Sequence, residues 1–252
     1  MVVSRRTETM YVKKTVKFLI LMGFIVFALL PLIWMLETSV KQEADILKIP
    51  PPFLFVPILN NYQTLFETYS YQTYIANSLV VALGSTALSL LVSIPAAYGL
   101  ARFRFKRNRD VFVWILSART LPPIAAALPL TIFYAYTGLL GSYITLILTY
   151  PISLIPFCTW MLVGFFSEIP EDLEEAAMID GYSRFPAFLR VTLPLATPGL
   201  AATAVLSFLF AWNEFIFSLT FTSASARTLP AAATQFITYS GILWGPMTAA
   251  SV

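Results

Sequence analysis

Four acidic side chains crowd into five positions at Glu171, Asp172, Glu174 and Glu175, directly after Pro170 and before Ala176, Ala177 and Gly181. Carboxylates at the start of a helix are stabilised by the positive end of its dipole, proline is tolerated in a first turn, and glycine accepts the left-handed conformation that ends a helix. The spacing therefore predicts a short helix, a glycine turn at Gly181 and a second short helix capped by Ser183, with Pro186 in its first turn and Pro194 stopping it. Leu173, Ala176, Ala177 and Asp180 fall at i, i+3, i+4 and i+7, a face of mostly small residues suited to sitting deep in a partner's groove. This is docking chemistry, not bond-making chemistry. The chain has no histidine, and its one cysteine, Cys158, lies in an apolar run and reads as a packing residue. A disulfide within the chain, a cysteine metal cluster and a metal site are not expected. No glycine-rich loop ending in Lys-Ser/Thr is present to cradle phosphate, so the chain is not itself an ATPase.

Two further charges stand where charge is costly. Arg119 and Glu214, the latter in Trp212-Asn213-Glu214, fall inside runs that are otherwise uncharged for most of their length. Intramembrane charges face a bundle interior or a wet cavity, so Arg119, Asn213 and Glu214 are candidates either for structural charge satisfied by neighbouring helices or for lining a translocation path. Arg119 lies about nine residues into its span, roughly 13 Å from the inner boundary at 1.5 Å per residue. Pro122, Pro123 and Pro129 follow it, which predicts a broken or kinked helix beside a polar interior.

The elements that must position these residues are membrane spans. Of 252 residues, 58% are hydrophobic and 12% charged, and the apolar residues come in long uncharged runs. A span needs roughly 20 apolar residues, and the runs predict helices over about 18–36, 76–101, 111–135, 144–166 and 199–221, with a turn at Tyr136, Gly138, Gly141 and Ser142 between the third and fourth. Phe18–Leu36 reads as a span and not as a cleaved signal peptide. Small residues recur every fourth position at Ser85, Ser89, Ser93, Ala97 and Ala101, and again at Gly199, Thr203, Ser207 and Ala211, which reads as close helix packing or as the lining of a path. The fold class is an all-α, polytopic bundle, a single transmembrane domain over 1–252 with a cytoplasmic loop at 167–198. Beyond the fifth span lies an outer loop and the first turn of a sixth, expected to be cut off at Val252.

Basic residues orient the bundle. Arg5, Arg6, Lys13, Lys14 and Lys17 precede the first span, and Arg102, Arg104, Lys106, Arg107 and Arg109 sit between the second and third. The positive-inside rule then places the N-terminus, 102–110 and 167–198 in the cytoplasm, and 37–75 with 222 onward outside. The net charge of +3 thus flanks spans and does not form a nucleic-acid surface. The outer segment Ser223–Gly245, with Tyr239, Gly241 and Trp244, is rich in Ala, Thr and Gly and suits an adaptable contact surface.

The anchors Glu175-Ala176-Ala177, Gly181 and Val191-Thr192-Leu193-Pro194 resemble the EAA loop of ABC importer permeases, and Val191 stands where isoleucine is usual. Met178-Ile179-Asp180-Gly181, Phe210 to Glu214, Arg227-Thr228-Leu229-Pro230, Asn61-Tyr62 and Asn77-Ser78 are similar to the maltose-type carbohydrate importers, a likeness over nearly the whole chain. Tyr182 replaces a common alanine. The resemblance implies an inner-membrane, non-catalytic permease subunit that works with a second permease, a cytoplasmic ATPase dimer holding ATP and Mg, and an extracytoplasmic sugar-binding protein. It implies that Glu174, Glu175, Ala176, Ala177, Asp180, Gly181 and Pro194 couple to the ATPase and that Tyr239, Gly241 and Trp244 reach the binding protein. A non-sugar ABC permease and an ion-coupled secondary transporter are the alternatives. The second would need polar sites at mid-bilayer, often with repeated halves, and leaves the EAA-like loop unexplained.

Overall fold

A computed structural model describes residues 2–103, 106–239 and 241–252. Arg104 and Ser240 lie outside the described residues, as do the side chains of Arg5, Arg6 and Lys13. The chain divides into two compact units, one comprising residues up to Tyr71 together with Ala233–Val252, the other Gln72–Ala232.

The first unit opens with helix α1 (Val2–Ser39), whose apolar part from Lys14 to Ser39 is long enough to cross a membrane and is almost entirely exposed along its side chains. Helix α2 (Asn60–Glu67) packs in the same unit against the terminal helix α11 (Trp244–Ser251). Their approach requires glycine at 245, where an added Cβ would lie 2.6 Å from the Asn61 carboxamide oxygen. Asn61 in turn donates to the Ser39 and Lys41 carbonyls at 2.8 and 3.0 Å, tying the end of α1 to α2. The predicted outer loop before this terminal helix is a two-residue hairpin, Ile237–Thr238 paired antiparallel with Gly241–Ile242.

The second unit holds α3 (Tyr71–Arg102), α4 (Asn108–Ser117), α5 (Pro123–Tyr136), α6 (Tyr143–Thr149), α7 (Pro151–Glu168), α8 (Asp172–Ile179), α9 (Thr197–Trp212) and α10 (Ile216–Phe221). Among the described residues three helices are long and apolar enough to span, namely Lys14–Ser39, Tyr71–Arg102 and Tyr143–Glu168. There are five if each of two bent pairs counts as one. The first bent pair is the break expected near Arg119: Asn108–Thr120 and Pro123–Tyr136 meet at 86°. Leu121 is extended (ψ 120°) because it precedes Pro122, and Pro123 opens α5. The second pair is Arg184–Leu195 with Thr197–Trp212, bent by 71°.

The sequence reading needs three corrections. The fifth span does not run unbroken to 221: α9 ends at Trp212, and Glu214 starts a new helix by accepting from the Phe217 and Ser218 N–H groups at 3.1 and 3.4 Å. Pro194 does not stop its helix, which continues to Leu195 before the bend. Ser183 occupies the N-cap position of Arg184–Ala187, but its side chain makes no capping hydrogen bond.

The rows of small residues are packing faces. Ser85, Ser89, Ser93 and Ala97 on α3 are wholly buried, and Gly199, Thr203, Ser207 and Ala211 on α9 are the buried residues of that helix. Close approach is literal at Gly199, where a Cβ would lie 2.3 Å from the Phe165 ring. Ser93 donates to the Ile155 carbonyl at 3.2 Å and Cys158 lies 3.0 Å from the Ser207 hydroxyl, contacts between helices, while Ser85, Ser89 and Thr203 donate to carbonyls of their own helix. Two clusters form the core of this unit, one around Leu146, Tyr150, Leu154, Phe217 and Phe221, the other around Ala97, Tyr98, Leu162, Phe166 and Phe188.

Candidate coupling loop and intramembrane cavity

Helix α8 carries Asp172, Glu174 and Glu175 in its first turn, and these acids divide between two faces. Glu174 points inward. Its carboxylate receives the Arg102 Nε–H at 2.9 Å and the Tyr98 hydroxyl at 2.9 Å, and Thr192 Oγ1 also donates to it. Arg102 Nη2 donates to the Ile169 carbonyl at 2.9 Å, so the guanidinium closes the turn that leads into α8. The side chains of Arg102 and Glu174 are only 4% and 6% exposed. Burial works against charge on Glu174, but the hydrogen bonds from Thr192, Tyr98 and Arg102 and the Arg102 charge outweigh it and hold its carboxyl below the usual range.

Thr192 reaches Glu174 because Phe188–Thr192 winds as a π-helix, an insertion that shifts side chains around the helix face. Two segments, the end of α3 and the run-up to α9, thus converge on the α8 carboxylate, and Arg102 ties in the turn at Ile169. Ala177, one turn after Glu174, is also buried. The expected docking face is therefore split, with Leu173, Ala176, Asp180 and Gly181 exposed while Ala177 packs inward beside Glu174. Gly181 ends the helix at φ +97°, a conformation that side chains rarely adopt. Glu175 and Pro194 are exposed. Around them Ile179 is 86% and Phe185 68% exposed, with Leu173, Tyr182 and Leu189 also presenting apolar surface. Arg184 stacks over Phe103 at 5.1 Å and Arg190 over Tyr182 at 4.9 Å, which anchors the two arginines of the second short helix region.

A cavity of about 170 Å³ lies between the α4–α5 break, α7, α9 and α10. Arg119, Tyr150, Ser153, Phe157, Phe210 and Glu214 are among its lining residues. The Arg119 guanidinium lies over the Phe157 and Phe210 rings, 4.9 and 5.3 Å from their centroids. Arg119 and Glu214 are thus brought to one cavity, yet no ion pair joins them. Asn213 instead donates to its own helix, to the Leu209 carbonyl at 2.8 Å. In the outer segment Tyr239 is fully exposed, Gly241 has φ +131°, and Trp244 opens α11 with its ring partly exposed.

The model of the family of binding-protein-dependent transport system inner membrane components matches residues 89–252, nearly two thirds of the chain. The chain belongs to that family. The permease is 41% identical over 219 residues to the sulfoquinovosyl glycerol transport system permease protein SmoH of Agrobacterium fabrum, covering 86% of this chain and 77% of that one. It is 35% identical to the diacetylchitobiose uptake system permease protein DasC of Streptomyces coelicolor (88% and 81% covered). It is 34% identical to the trehalose/maltose transport system permease protein MalG of Thermococcus litoralis (94% and 87% covered). A bacterial ABC transporter that imports alginate has a chain of the same fold, with TM-score 0.75 over 95% of the permease and 90% of that chain, at 19% identity.

Sequence reasoning about the permease missed Arg102 and Tyr98 as partners of Glu174 and took Thr192 only as a motif anchor. It counted Arg102 only as one of five basic residues that orient a loop. Tyr98 and Arg102 are one helical turn apart on α3, and both are buried against Glu174.

Proposed function

We propose that this chain is one of two permease subunits of an ATP-driven, binding-protein-dependent importer of saccharides. The observation that carries the reading is Glu174, held by three hydrogen bonds beneath an exposed, apolar, acid-framed helix, in a family whose relatives serve sulfoquinovosyl glycerol, diacetylchitobiose and trehalose or maltose. Residues 1–252 act as a single permease domain with its N-terminus cytoplasmic, and 167–198 is its coupling loop. Leu173, Glu175, Ala176, Ile179, Asp180 and Gly181 dock on an ATPase dimer, which holds ATP and Mg. Arg102 locks α8 to the end of α3, so a displacement imposed on α8 is passed to a span instead of being absorbed in a loose loop. Tyr239, Gly241 and Trp244 face an extracytoplasmic sugar-binding protein.

The test is ATP-driven uptake by the transporter reconstituted in proteoliposomes, scored with co-purification of the ATPase. A Gly181→Val permease that inserts in the membrane and keeps both uptake and ATPase at wild-type level refutes the coupling role. Uptake driven by an ion gradient without ATP would refute the importer class.

A further inference from the structure

The cavity beside the α4–α5 break holds opposite charges that do not meet. In the low dielectric of a membrane span, an arginine and a carboxylate lining one small space attract strongly, and leaving either undirected is costly. Here each is fixed by something other than its opposite. Arg119 lies over the Phe157 and Phe210 rings, which stand edge to face at 82°, and it makes no hydrogen bond or ion pair among the described residues, so its N–H groups remain available. Glu214 is held by the N–H groups of Phe217 and Ser218, one on each oxygen, which leaves each oxygen a further acceptor direction. Between them the wall carries the Ser153 hydroxyl and the buried Tyr150 hydroxyl, which lies near Glu214 without closing a hydrogen bond of good geometry. The volume of about 170 Å³ is on the order of ten times the roughly 10–15 Å³ that one water needs on that measure, so more than a single solvent molecule fits.

We infer that this cavity is a saccharide subsite carried by this permease itself, in which one neutral sugar ring bridges Arg119 to Glu214. Each ring hydroxyl can accept from the guanidinium and donate to the carboxylate, which neither an apolar solute nor a simple ion can do at once. The Phe217 ring with Leu154 and Ala211 supplies apolar surface on which a ring's C–H edges pack, so the lining is mostly apolar with a few fixed polar groups, as small-molecule sites are. Arg119 stands in the last turn before the break at Leu121-Pro122, where the two helices meet at 86°. The inference rests on the importer reading and adds where, and by what chemistry, a sugar would be held.

The experiment uses the assembled transporter in membrane vesicles with a Ser153→Cys substitution, because Ser153 lines the cavity and is exposed whereas Cys158 is buried. The probes are trehalose, maltose and diacetylchitobiose, with glucuronate as the anionic comparison. Maleimide labelling of the Ser153→Cys protein should slow severalfold with at least one neutral sugar, and the protection should fall at least tenfold in sugar affinity when Arg119→Met or Glu214→Gln is added. Because Glu214 also starts a helix, Phe210→Leu serves as the variant that alters the wall without touching that cap, and it too should weaken protection. Protection by none of the sugars, protection that survives all three substitutions, or protection by glucuronate alone would each overturn the bridging site. ATP-driven sugar uptake is measured in parallel. Sugar uptake whose KM is unchanged by Arg119→Met sinks the subsite and leaves the importer reading standing, whereas ATP-driven uptake of no sugar by the unsubstituted protein sinks the importer reading itself.

Discussion

Arg102 and Arg119 stand at the ends of two different treatments of a cation. Arg102 is closed off: it meets Glu174 at 2.9 Å, is almost fully buried, and every neighbour around the carboxylate donates to it. Arg119 is held open, lying over two rings beside a cavity whose carboxylate is tethered elsewhere. A saturated ion pair has nothing left to offer a ligand and serves to fix elements in place. An unsaturated pair around a cavity is poorly suited to fixing anything and well suited to binding. The contrast supports the proposal of transmission for the first region and solute handling for the second, and it can be broken at either end.

The largest effect should come from opening the closed node. Arg102→Met leaves Glu174 buried without its cation, a change that costs about 3–5 kcal/mol. The thermal unfolding midpoint of the purified permease complex should drop, and uptake should be lost even where the ATPase still co-purifies. Replacing both partners, Arg102→Met with Glu174→Leu, should recover much of the stability, because an apolar pair of similar volume replaces a charge without a partner. It should not recover full coupling, since the bonds to Tyr98, Thr192 and Ile169 are gone as well. Recovery of both would show the node to be mere packing. The same node predicts a pH dependence. Glu174 is held below its ordinary range, so its contribution is present above the unfolded carboxylate value of about 4.3 and is lost as pH falls through the lower folded value. The wild-type protein should therefore lose more stability on acidification below about pH 4.3 than Glu174→Gln does, as read by unfolding midpoints across that window.

Next in size is Gly181→Val. At φ +97° the backbone strain is of the order of 1–3 kcal/mol for any side chain, and worse for a β-branched one, although nothing crowds a Cβ there. The expected result is an inserted protein whose α8 end is displaced, with uptake falling more than stability. Gly181→Ala should lie between the two. Equal uptake by all three would remove the turn from the coupling path. Gly199→Val tests packing with no coupling role: the ring of Phe165 must move to admit a Cβ, which costs about 1–3 kcal/mol. Stability and uptake should decline together, unlike the split expected at Gly181.

How much of this was legible in the residues depends on what kind of physics each feature obeys. Hydrophobic runs locate the spans, because length and polarity decide whether a helix can cross lipid, but they carry the fifth to 221 where its helix ends at Trp212. The break near Arg119 was legible because Pro122 and Pro123 act on their own neighbours, and the turn at Gly181 because a positive φ selects glycine locally. The inward turn of Glu174 was not legible. On a single amphipathic helix, Glu174 and Glu175 are adjacent acids of equal merit, and what separates them is Arg102, distant in sequence, with Thr192 brought round by a π-turn that leaves no mark in composition. Glu214 was seen as an intramembrane charge but not as a helix start, because Phe215 and Ile216 continue the apolar run and hide the break.

The smallest expected effect on stability is at Tyr239, and there the comparison of closed and open sites sharpens into one of folding against partnership. The Tyr239 side chain is fully exposed, beside a two-residue hairpin whose bonds run through Thr238 and Gly241 and not through the tyrosine ring. Removing a whole stretch from Tyr239 to Trp244 would be a blunter test, since Leu243 N–H bonds the Phe236 carbonyl and Trp244 begins α11, so a deletion would disturb the fold along with the surface. Tyr239→Ala avoids that. A surface substitution of this kind changes stability by no more than about 0.5 kcal/mol, so the unfolding midpoint and the basal ATPase of the assembled complex should stay where they are. Aromatic rings that anchor an interface are worth more than that to binding, often 2 kcal/mol or above. If Tyr239 meets the binding protein, the concentration of loaded binding protein needed to half-stimulate ATP hydrolysis should rise by roughly tenfold or more, since each 1.4 kcal/mol is a factor of ten. An unchanged half-stimulating concentration would take this residue out of the contact and leave Trp244 and Gly241 as the positions to examine.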